Sequence, residues 1–196
     1  MQEGANTSKD DYISLGKALA HIKKRRKIVG GVVLSGGEPT MFSCLGELIQ
    51  QIKLLGIKVK LDTNGLLPEV LKALFGAEET RPDYIAMDLK TSPDRYMELM
   101  PGNINSSNKD PDNPANAVKH SAALIRASGI AHEFRSLALP SGNAVLLQQS
   151  NTMQKPFFDE NVIAVLSGLV GDSPWNINPF TPGNCIDPVW DNLQAK

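Results

Sequence analysis

Cysteine is scarce in this chain, and its scarcity excludes a fold held together by disulfides. The 196 residues include two cysteines, Cys44 and Cys185. Two cysteines so far apart in a chain of this size do not build a disulfide scaffold. A reducing compartment is therefore the expected setting, and we predict a cytoplasmic location.

The sequence also has little excess charge of either sign and no long apolar run. Its 20 basic and 21 acidic residues give a formal net charge of -1, so there is no overall basic field for nucleic acid. No apolar segment approaches the length of a membrane span, and no signal peptide opens the chain. We therefore expect neither nucleic acid nor a membrane as a partner. The basic run at residues 23–27 could bind phosphate, but a solvated helix C-terminus accounts for it.

What is present is the composition of one ordinary globular domain. Hydrophobic residues make up 41% and charged residues 21%, and the length suits a single core, so residues 1–196 are predicted to form one domain. Apolar and amphipathic segments alternate about five times, which predicts a parallel sheet with helical crossovers. The predicted strands lie within residues 31–37, 57–65, 84–90, 132–140 and 175–180, and the helices within 11–27, 43–56, 68–75, 115–129 and 159–171.

Two α/β architectures fit this alternation, an open doubly wound sheet and a barrel-like array with too few units to close at eight strands. Either one leaves an open edge, and an unpaired edge strand favours association. We therefore predict a homodimer through that edge, or an edge covered by the N-terminal segment. Local signals predict Ser43 as the N-cap of the second helix and Gly56 as its end.

Polar residues follow the predicted strands at the points where the strands end. In a parallel sheet these ends share one edge, where ligands bind. A rim that mixes carboxylates, cations and amides suits a zwitterionic or polyfunctional small molecule. Any one of these residues could instead complete a turn or an ion pair. The rim residues are Glu38, Asp62, Thr63, Asn64, Asp88, Lys90, Glu133, Arg135, Asn176 and Asn178.

The segment "SGGEP" is the most specific of these strand ends. Gly36 and Gly37 allow close approach of the backbone to a ligand, and Pro39 stiffens the exit. Glu38 is predicted to face solvent at the rim, where its carboxylate can accept hydrogen bonds from an ammonium group. The alternative is that Glu38 caps or braces the helix that follows. Neither a P-loop nor a dinucleotide fingerprint occurs in the chain.

Four segments in this order, "VVLSGGEPT", "LGIKVKLDTNG", "PDYIAMDLK" and "HEFRSLALP", resemble the radical S-adenosylmethionine (SAM) enzymes. The likeness is greatest to activating proteins of glycyl-radical enzymes, in particular of anaerobic ribonucleoside-triphosphate reductase. It implies a partial (β/α)6 barrel with SAM across the open top. It also implies a [4Fe–4S] cluster in the intact family member, and a glycyl-radical enzyme such as anaerobic ribonucleotide reductase as a partner.

The resemblance also implies which residues hold the cofactor. Gly36, Gly37 and Glu38 match the turn that binds the methionine amino group, and the later strand ends match the ribose and carboxylate side. A monovalent cation near Asp62, Thr63 and Asp88 is a further implication. No catalytic residue is assigned. The implied cofactor-binding set is Gly36, Gly37, Glu38, Pro39, Thr40, Asp62, Thr63, Asn64, Asp88, Lys90 and Arg135.

The chain departs from the family at the iron–sulfur cluster. The family binds it through a C-x3-C-x2-C segment ahead of the first helix, and a cluster needs closely spaced thiolates. Cys44 and Cys185 do not meet that need, so we expect no cluster in this chain and no SAM cleavage by it. The first strand and the cluster loop are also expected to be missing.

Several interpretations of this departure stay open, and so does the question whether the chain is an enzyme. The first is a truncated activase that is inactive as it stands. The second is a cluster-less relative that binds SAM or another small molecule. The third is a non-catalytic interaction scaffold. A 7-carboxy-7-deazaguanine synthase-like enzyme is a further alternative.

Overall fold

A computed structural model describes residues 13–99, 113–138, 158–181 and 183. Within these residues, five strands and five α-helices alternate along the chain. Cys185 and residues 1–12, which include the segment expected to cover an open edge, lie outside the described part. The strands are Gly31–Leu34 (β1), Lys58–Thr63 (β2), Tyr84–Asp88 (β3), Ala131–Ala138 (β4) and Trp175–Pro179 (β5), and the helices are Leu15–Arg25 (α1), Leu45–Leu54 (α2), Pro68–Phe75 (α3), Pro114–Ala127 (α4) and Glu160–Val170 (α5).

All five strands pair in parallel, in the order β1-β2-β3-β4-β5. This confirms the predicted α/β fold with one parallel sheet in chain order. Among the described residues β1 has β2 as its single partner strand. The homodimer through this edge stays a prediction. None of the helices in the described part is long and apolar enough to cross a membrane.

The two faces of the sheet differ in character because side chains alternate along each strand. One face packs against the helices and forms the core, in which Leu61, Ile85, Met87 and Phe134 are fully buried. The opposite face carries the charged residues that occupy the intervening positions. The fold therefore leaves a polar sheet face on which a ligand could lie.

The ends of α2 and α4 follow different local signals. Asn113 caps α4, since its side chain accepts a hydrogen bond from the Ala115 amide at 2.8 Å. The prediction that Ser43 caps α2 is wrong, because Cys44 holds the N-cap position and makes no side-chain cap bond. The 3₁₀ turn Pro39–Met41 is separated from α2 by Phe42, Ser43 and Cys44. Gly56 has a φ of 75°, as expected for the residue that ends a helix.

Candidate functional site

The turn after β1 is held by the carboxylate of Glu38. Oε1 accepts hydrogen bonds from the Thr40 amide (3.2 Å), the Thr40 hydroxyl (2.6 Å) and the Thr63 hydroxyl (2.8 Å). Oε2 accepts one from the Asn64 amide at 2.7 Å. A carboxylate has about four acceptor sites, so these four bonds use most of its capacity. Glu38 therefore caps the turn Pro39–Met41 and ties the end of β1 to the end of β2.

This geometry changes what was expected of Glu38. Its side chain is half-buried and bonded to three neighbouring residues, whereas the sequence predicted a carboxylate that faces solvent. Gly36, two residues earlier, has a φ of 122°, a conformation that side chains rarely adopt. The Gly36–Gly37 turn is thus exposed at the rim, whereas Glu38, the next residue, is half-buried and hydrogen-bonded to the protein.

The end of β2 is built from turn chemistry. Thr63 is 3% exposed, and its oxygen also accepts a hydrogen bond from the Gly65 amide at 3.1 Å. The side-chain oxygen of Asn64 accepts from the Leu66 amide at 2.9 Å. Both side chains are therefore engaged in fixing the turn. Thr63 and Asn64 lie beside Glu38 at the rim. Because side chains alternate along a strand, the Thr63 side chain lies on the opposite face of the sheet from Asp62.

Arg135 joins two acidic strand ends on the open face. Its Nε donates to Asp88 Oδ1 at 2.9 Å, and one Nη donates to Asp62 Oδ2 at 3.3 Å. Lys90 Nζ donates to the other Asp88 oxygen at 3.1 Å. Burial has the largest single effect on the pKa of the Arg135 guanidinium and lowers it, but the charges of Asp88 and Asp62 and the hydrogen bonds to them together raise that pKa. The structure thus brings together residues from β2, β3 and β4 that are far apart in sequence.

A second group of charged residues lies beside the Arg135 group, two residues earlier along β2 and β4. Lys60 Nζ donates to Glu133 Oε1 at 3.0 Å and lies 5.2 Å from the centre of the Tyr84 ring. Asn176 donates to Glu133 Oε2 at 2.7 Å. Sequence reasoning missed Lys60 and Tyr84 as members of the site. The signal for Lys60 was its spacing, because residues two apart in a strand share a face.

One acceptor on this face has no hydrogen-bond donor among the described residues. Asp62 Oδ1 is buried and makes no hydrogen bond, and Lys60 Nζ lies 3.8 Å away. Buried polar atoms in native proteins are nearly always bonded. An Oδ1 without a donor therefore suits a ligand that brings a hydroxyl or ammonium hydrogen to it.

A cleft of about 240 Å³ opens beside Arg135. It is smaller than pockets that enclose a whole drug-sized ligand, and it suits one polar end of a longer molecule. It contains two cationic groups and one carboxylate. Its lining residues are Asp88, Leu89, Lys90, Arg135, Ser136, Leu137 and Asn178.

The described residues do not form the two metal sites that the resemblance implies, one for a monovalent cation and one for an iron–sulfur cluster. Arg135 lies between Asp62 and Asp88, and the Thr63 hydroxyl points to the other face, so these side chains do not converge as one set of cation ligands. No three His, Cys, Asp or Glu side chains in the described residues are grouped to hold a metal ion. Cys44 is free and exposed. The described residues therefore do not fit an iron–sulfur cluster.

Tyr96 is a buried residue that contacts Lys90 of the site, and its burial leads to a prediction at high pH. It is 3% exposed, and its hydroxyl oxygen accepts from the Lys90 amide at 3.0 Å. Burial raises the pKa of Tyr96 to about 12; the bond from Lys90 opposes that rise and the Asp88 charge adds to it. An unfolded tyrosine has a pKa of about 10. The contribution of Tyr96 to the free energy of unfolding is thus complete below about pH 10 and is lost as the pH rises to about 12.

We expect the free energy of unfolding to fall across this window by about 1.4 kcal/mol per pH unit through Tyr96 alone. The unfolded chain releases the phenol proton there, while the folded chain retains it. Urea unfolding at pH 9, 10, 11 and 12 measures the slope. In Tyr96→Phe the Tyr96 part of the slope should vanish. Parallel pH profiles for the two proteins would contradict the assignment.

Comparisons with known proteins place the chain in a family. A sequence model of the radical SAM superfamily matches residues 3–140. A Methanocaldococcus jannaschii protein named as a glycyl-radical enzyme activating enzyme is 40% identical over 70 residues, which are 35% of this chain and 28% of that protein.

Two solved structures share a similar course of the chain over part of their length. Archaeal TYW1 has a TM-score of 0.47 at 16% identity, covering 76% of this chain and 53% of that one. Streptococcus suis SuiB bound to SAM has a TM-score of 0.48 at 12% identity, covering 90% and 46%. This chain spans less than two thirds of each of these relatives. Because the family match extends over well more than half of its length, the chain belongs to the radical SAM superfamily.

Proposed function

We propose that this chain is the SAM-binding part of an activating enzyme for a glycyl-radical enzyme. The partial identity to a protein named as such an activating enzyme supports this proposal. The observation that carries it is the polar sheet face, on which Asp62 Oδ1 is buried with no hydrogen-bond donor among the described residues, beside the Asp88–Arg135 pair. A glycyl-radical partner such as anaerobic ribonucleotide reductase and a cytoplasmic setting belong to the same proposal.

In this proposal, different residues of the open face bind different parts of SAM. The exposed Gly36–Gly37 turn offers backbone acceptors to the ammonium end, because the carboxylate of Glu38 is already bonded. Lys90 and Arg135 offer charged donors to a carboxylate, and Asp62 Oδ1 accepts from a hydroxyl. When bound, SAM supplies a sulfonium group whose carbon–sulfur bond the family breaks. The described residues do not fit the cluster that supplies the electron.

The first test is titration calorimetry of the chain with SAM, on the wild type and on Lys90→Met. The Lys90 side chain is 52% exposed, and Asp88 is its one ion-pair partner among the described residues; such a surface pair contributes about 0–1 kcal/mol to folding. The fold should therefore survive. A charged hydrogen bond contributes about 1.5–3 kcal/mol, so affinity should fall roughly ten- to a hundredfold. Lys72→Met, at an exposed lysine that also pairs with one carboxylate, is the matched control. Equal affinity of all three proteins would contradict the role of Lys90.

A cluster-less SAM-binding relative is the second candidate, and it is favoured by Cys44, the described cysteine, which is free, exposed and outside any group of three metal-binding side chains in the described residues. Anaerobic reconstitution with iron and sulfide tests whether this chain holds a cluster at all, which neither candidate expects. We expect SAM binding without the visible absorption of a [4Fe–4S] cluster in this chain. Stoichiometric iron and sulfide with that absorption would show that other ligands complete a cluster site.

A further inference from the structure

A serine, a histidine and a backbone carbonyl are aligned at the end of the sheet opposite the proposed SAM site. His132 is the second residue of β4, and Ser173 lies in the turn between α5 and β5. His132 Nε2 is 3.0 Å from Ser173 Oγ, and His132 Nδ1 is 2.7 Å from the Ile130 carbonyl oxygen. Both residues are half-buried.

The carbonyl determines the direction of these hydrogen bonds. Because the Ile130 oxygen can only accept, Nδ1 carries the imidazole proton and donates it. In the neutral ring Nε2 is then the acceptor, and the Ser173 hydroxyl donates to it. A nucleophile bonded to a base, which a third group orients in turn, is the arrangement that activates a serine.

His132 and Ser173 line a surface cavity of about 600 Å³, and the Arg126 side chain lines it too. Arg126 donates from Nη1 to the Leu169 carbonyl at 3.2 Å, and its guanidinium lies against the backbone of Gly171, two residues before Ser173. A fixed cation near a reacting carbonyl stabilises the negative charge that develops on its oxygen. The cavity is lined by Ala123, Arg126, Ala127, His132, Asp172, Ser173 and Pro174.

We propose that Ser173 is a nucleophile for small esters, with His132 as its base and Arg126 as the group that stabilises the oxyanion. Ser173 Oγ bonds to the ester carbonyl carbon while His132 Nε2 takes the hydroxyl proton. The carbon–oxygen bond to the alcohol breaks, and the alcohol leaves with that proton. Water then attacks the acyl-serine, His132 again takes and returns a proton, and the carboxylic acid is released.

A purely structural role makes a different prediction. In a parallel α/β barrel the N-terminal ends of the strands ordinarily serve stability, and the bond could simply fasten the turn before β5 to β4. In that case Ser173→Ala lowers the melting temperature, and the serine shows no special reactivity. Reactivity therefore decides between the two roles, and stability alone does not.

The test uses a fluorophosphonate, which bonds covalently to an activated serine with loss of fluoride. Intact mass and peptide mapping should show one adduct, at Ser173, in the wild type and none in Ser173→Ala. His132→Gln should slow labelling by about 10²–10⁴-fold, the range for loss of a general base. Ser43, which is exposed, serves as an internal control that should stay unlabelled. No adduct on the folded wild type, or equal labelling rates in His132→Gln, would overturn the proposal.

A second variant keeps the test decisive if His132→Gln does not fold. In Ser173→Cys the new thiol lies beside the same imidazole, while Cys44 is free and exposed elsewhere in the same molecule. Iodoacetamide should alkylate the new thiol at least tenfold faster than Cys44, because the imidazole takes the thiol proton. Equal or slower alkylation at position 173 would show that His132 activates nothing there.

Discussion

Gly65→Ala is expected to lower the free energy of unfolding by about 3 kcal/mol. Gly65 has a φ of 72°, where a residue with a side chain costs about 1–2 kcal/mol. An added Cβ would also overlap the Met87 Cε atom and lie 3.3 Å from Ser121 Cβ. Met87 is fully buried, so a shift of its terminal methyl disturbs the packing of the core, and overpacking costs about 1–3 kcal/mol more.

Gly56→Ala is the matched control for the backbone part of this effect. Gly56 has a φ of 75°, and nothing lies within 4 Å of the position that an added Cβ would take. It should therefore lose only the backbone strain, about 1–2 kcal/mol. In a chain of this size each kcal/mol shifts the melting temperature by about 2–4 °C. Calorimetric melting of both variants separates strain from overpacking, and equal losses would contradict the contact with Met87.

The Gly65 contact also concerns the site. The Gly65 carbonyl accepts a hydrogen bond from the buried Ser121 hydroxyl at 2.7 Å, and its amide donates to Thr63. Both bonds hold the turn that presents Asn64 to Glu38. In the Met87→Ala background, where the overlap is removed, Gly65→Ala should cost about as much as Gly56→Ala. A full additional loss in that background would place the cost elsewhere in the turn.

Sequence reasoning reached the strands and their common edge because both follow from short-range signals. Apolar segments with a period of two ended at glycines or polar turns, and helices such as α4 began at an Asn-Pro cap. The convergence of Asp62, Asp88 and Arg135 then followed from topology, since parallel strands deliver their C-terminal ends to one edge. The hydrogen bonds of Arg135 to Asp88 and Asp62 agree with that topology.

Pairing between strands could not be derived in the same way. Lys60 bonds to Glu133 across β3 because Ala86 pairs with Glu133 and Lys60 pairs with Tyr84, and this register is set by the packing of the whole sheet. In this register the small residue Ala86 is opposite both Asp62 and Glu133. Nothing in the local sequence of either strand specifies that match, so the Lys60–Glu133 pair was not predicted.

Glu38 shows the same limit at a single residue. Its Gly-Gly context indicated a ligand-facing turn, and that context is local. Two of its hydrogen bonds come from Thr40, two residues away, but the donors Thr63 and Asn64 lie 25 and 26 residues along the chain. The bracing role therefore depends on how β1 and β2 align, which the motif alone does not encode.

Glu38→Gln is accordingly expected to destabilise the fold, by about 2–3 kcal/mol. The carboxylate accepts bonds from Thr40, Thr63 and Asn64, and a hydrogen bond to a charged group contributes about 1.5–3 kcal/mol. Glutamine keeps one acceptor oxygen but turns its NH₂ group toward donors, which leaves at least one of them without a partner. The expected fall in melting temperature is about 4–12 °C. Glu79→Gln, at an exposed glutamate with no hydrogen bond or ion pair to the described residues, is the matched control and should melt within about 1 °C of the wild type.

Calorimetry with SAM on the same Glu38→Gln protein then separates the brace from a ligand. If the carboxylate itself holds the ammonium group, affinity falls roughly ten- to a hundredfold while the melting temperature barely moves. If it is a brace, the melting temperature falls, and affinity measured in the cold, well below unfolding, changes much less, because the Gly36–Gly37 backbone still reaches the ligand. Four bonds to protein donors favour the second outcome. An unchanged melting temperature with lost affinity would return Glu38 to the role that its motif suggested.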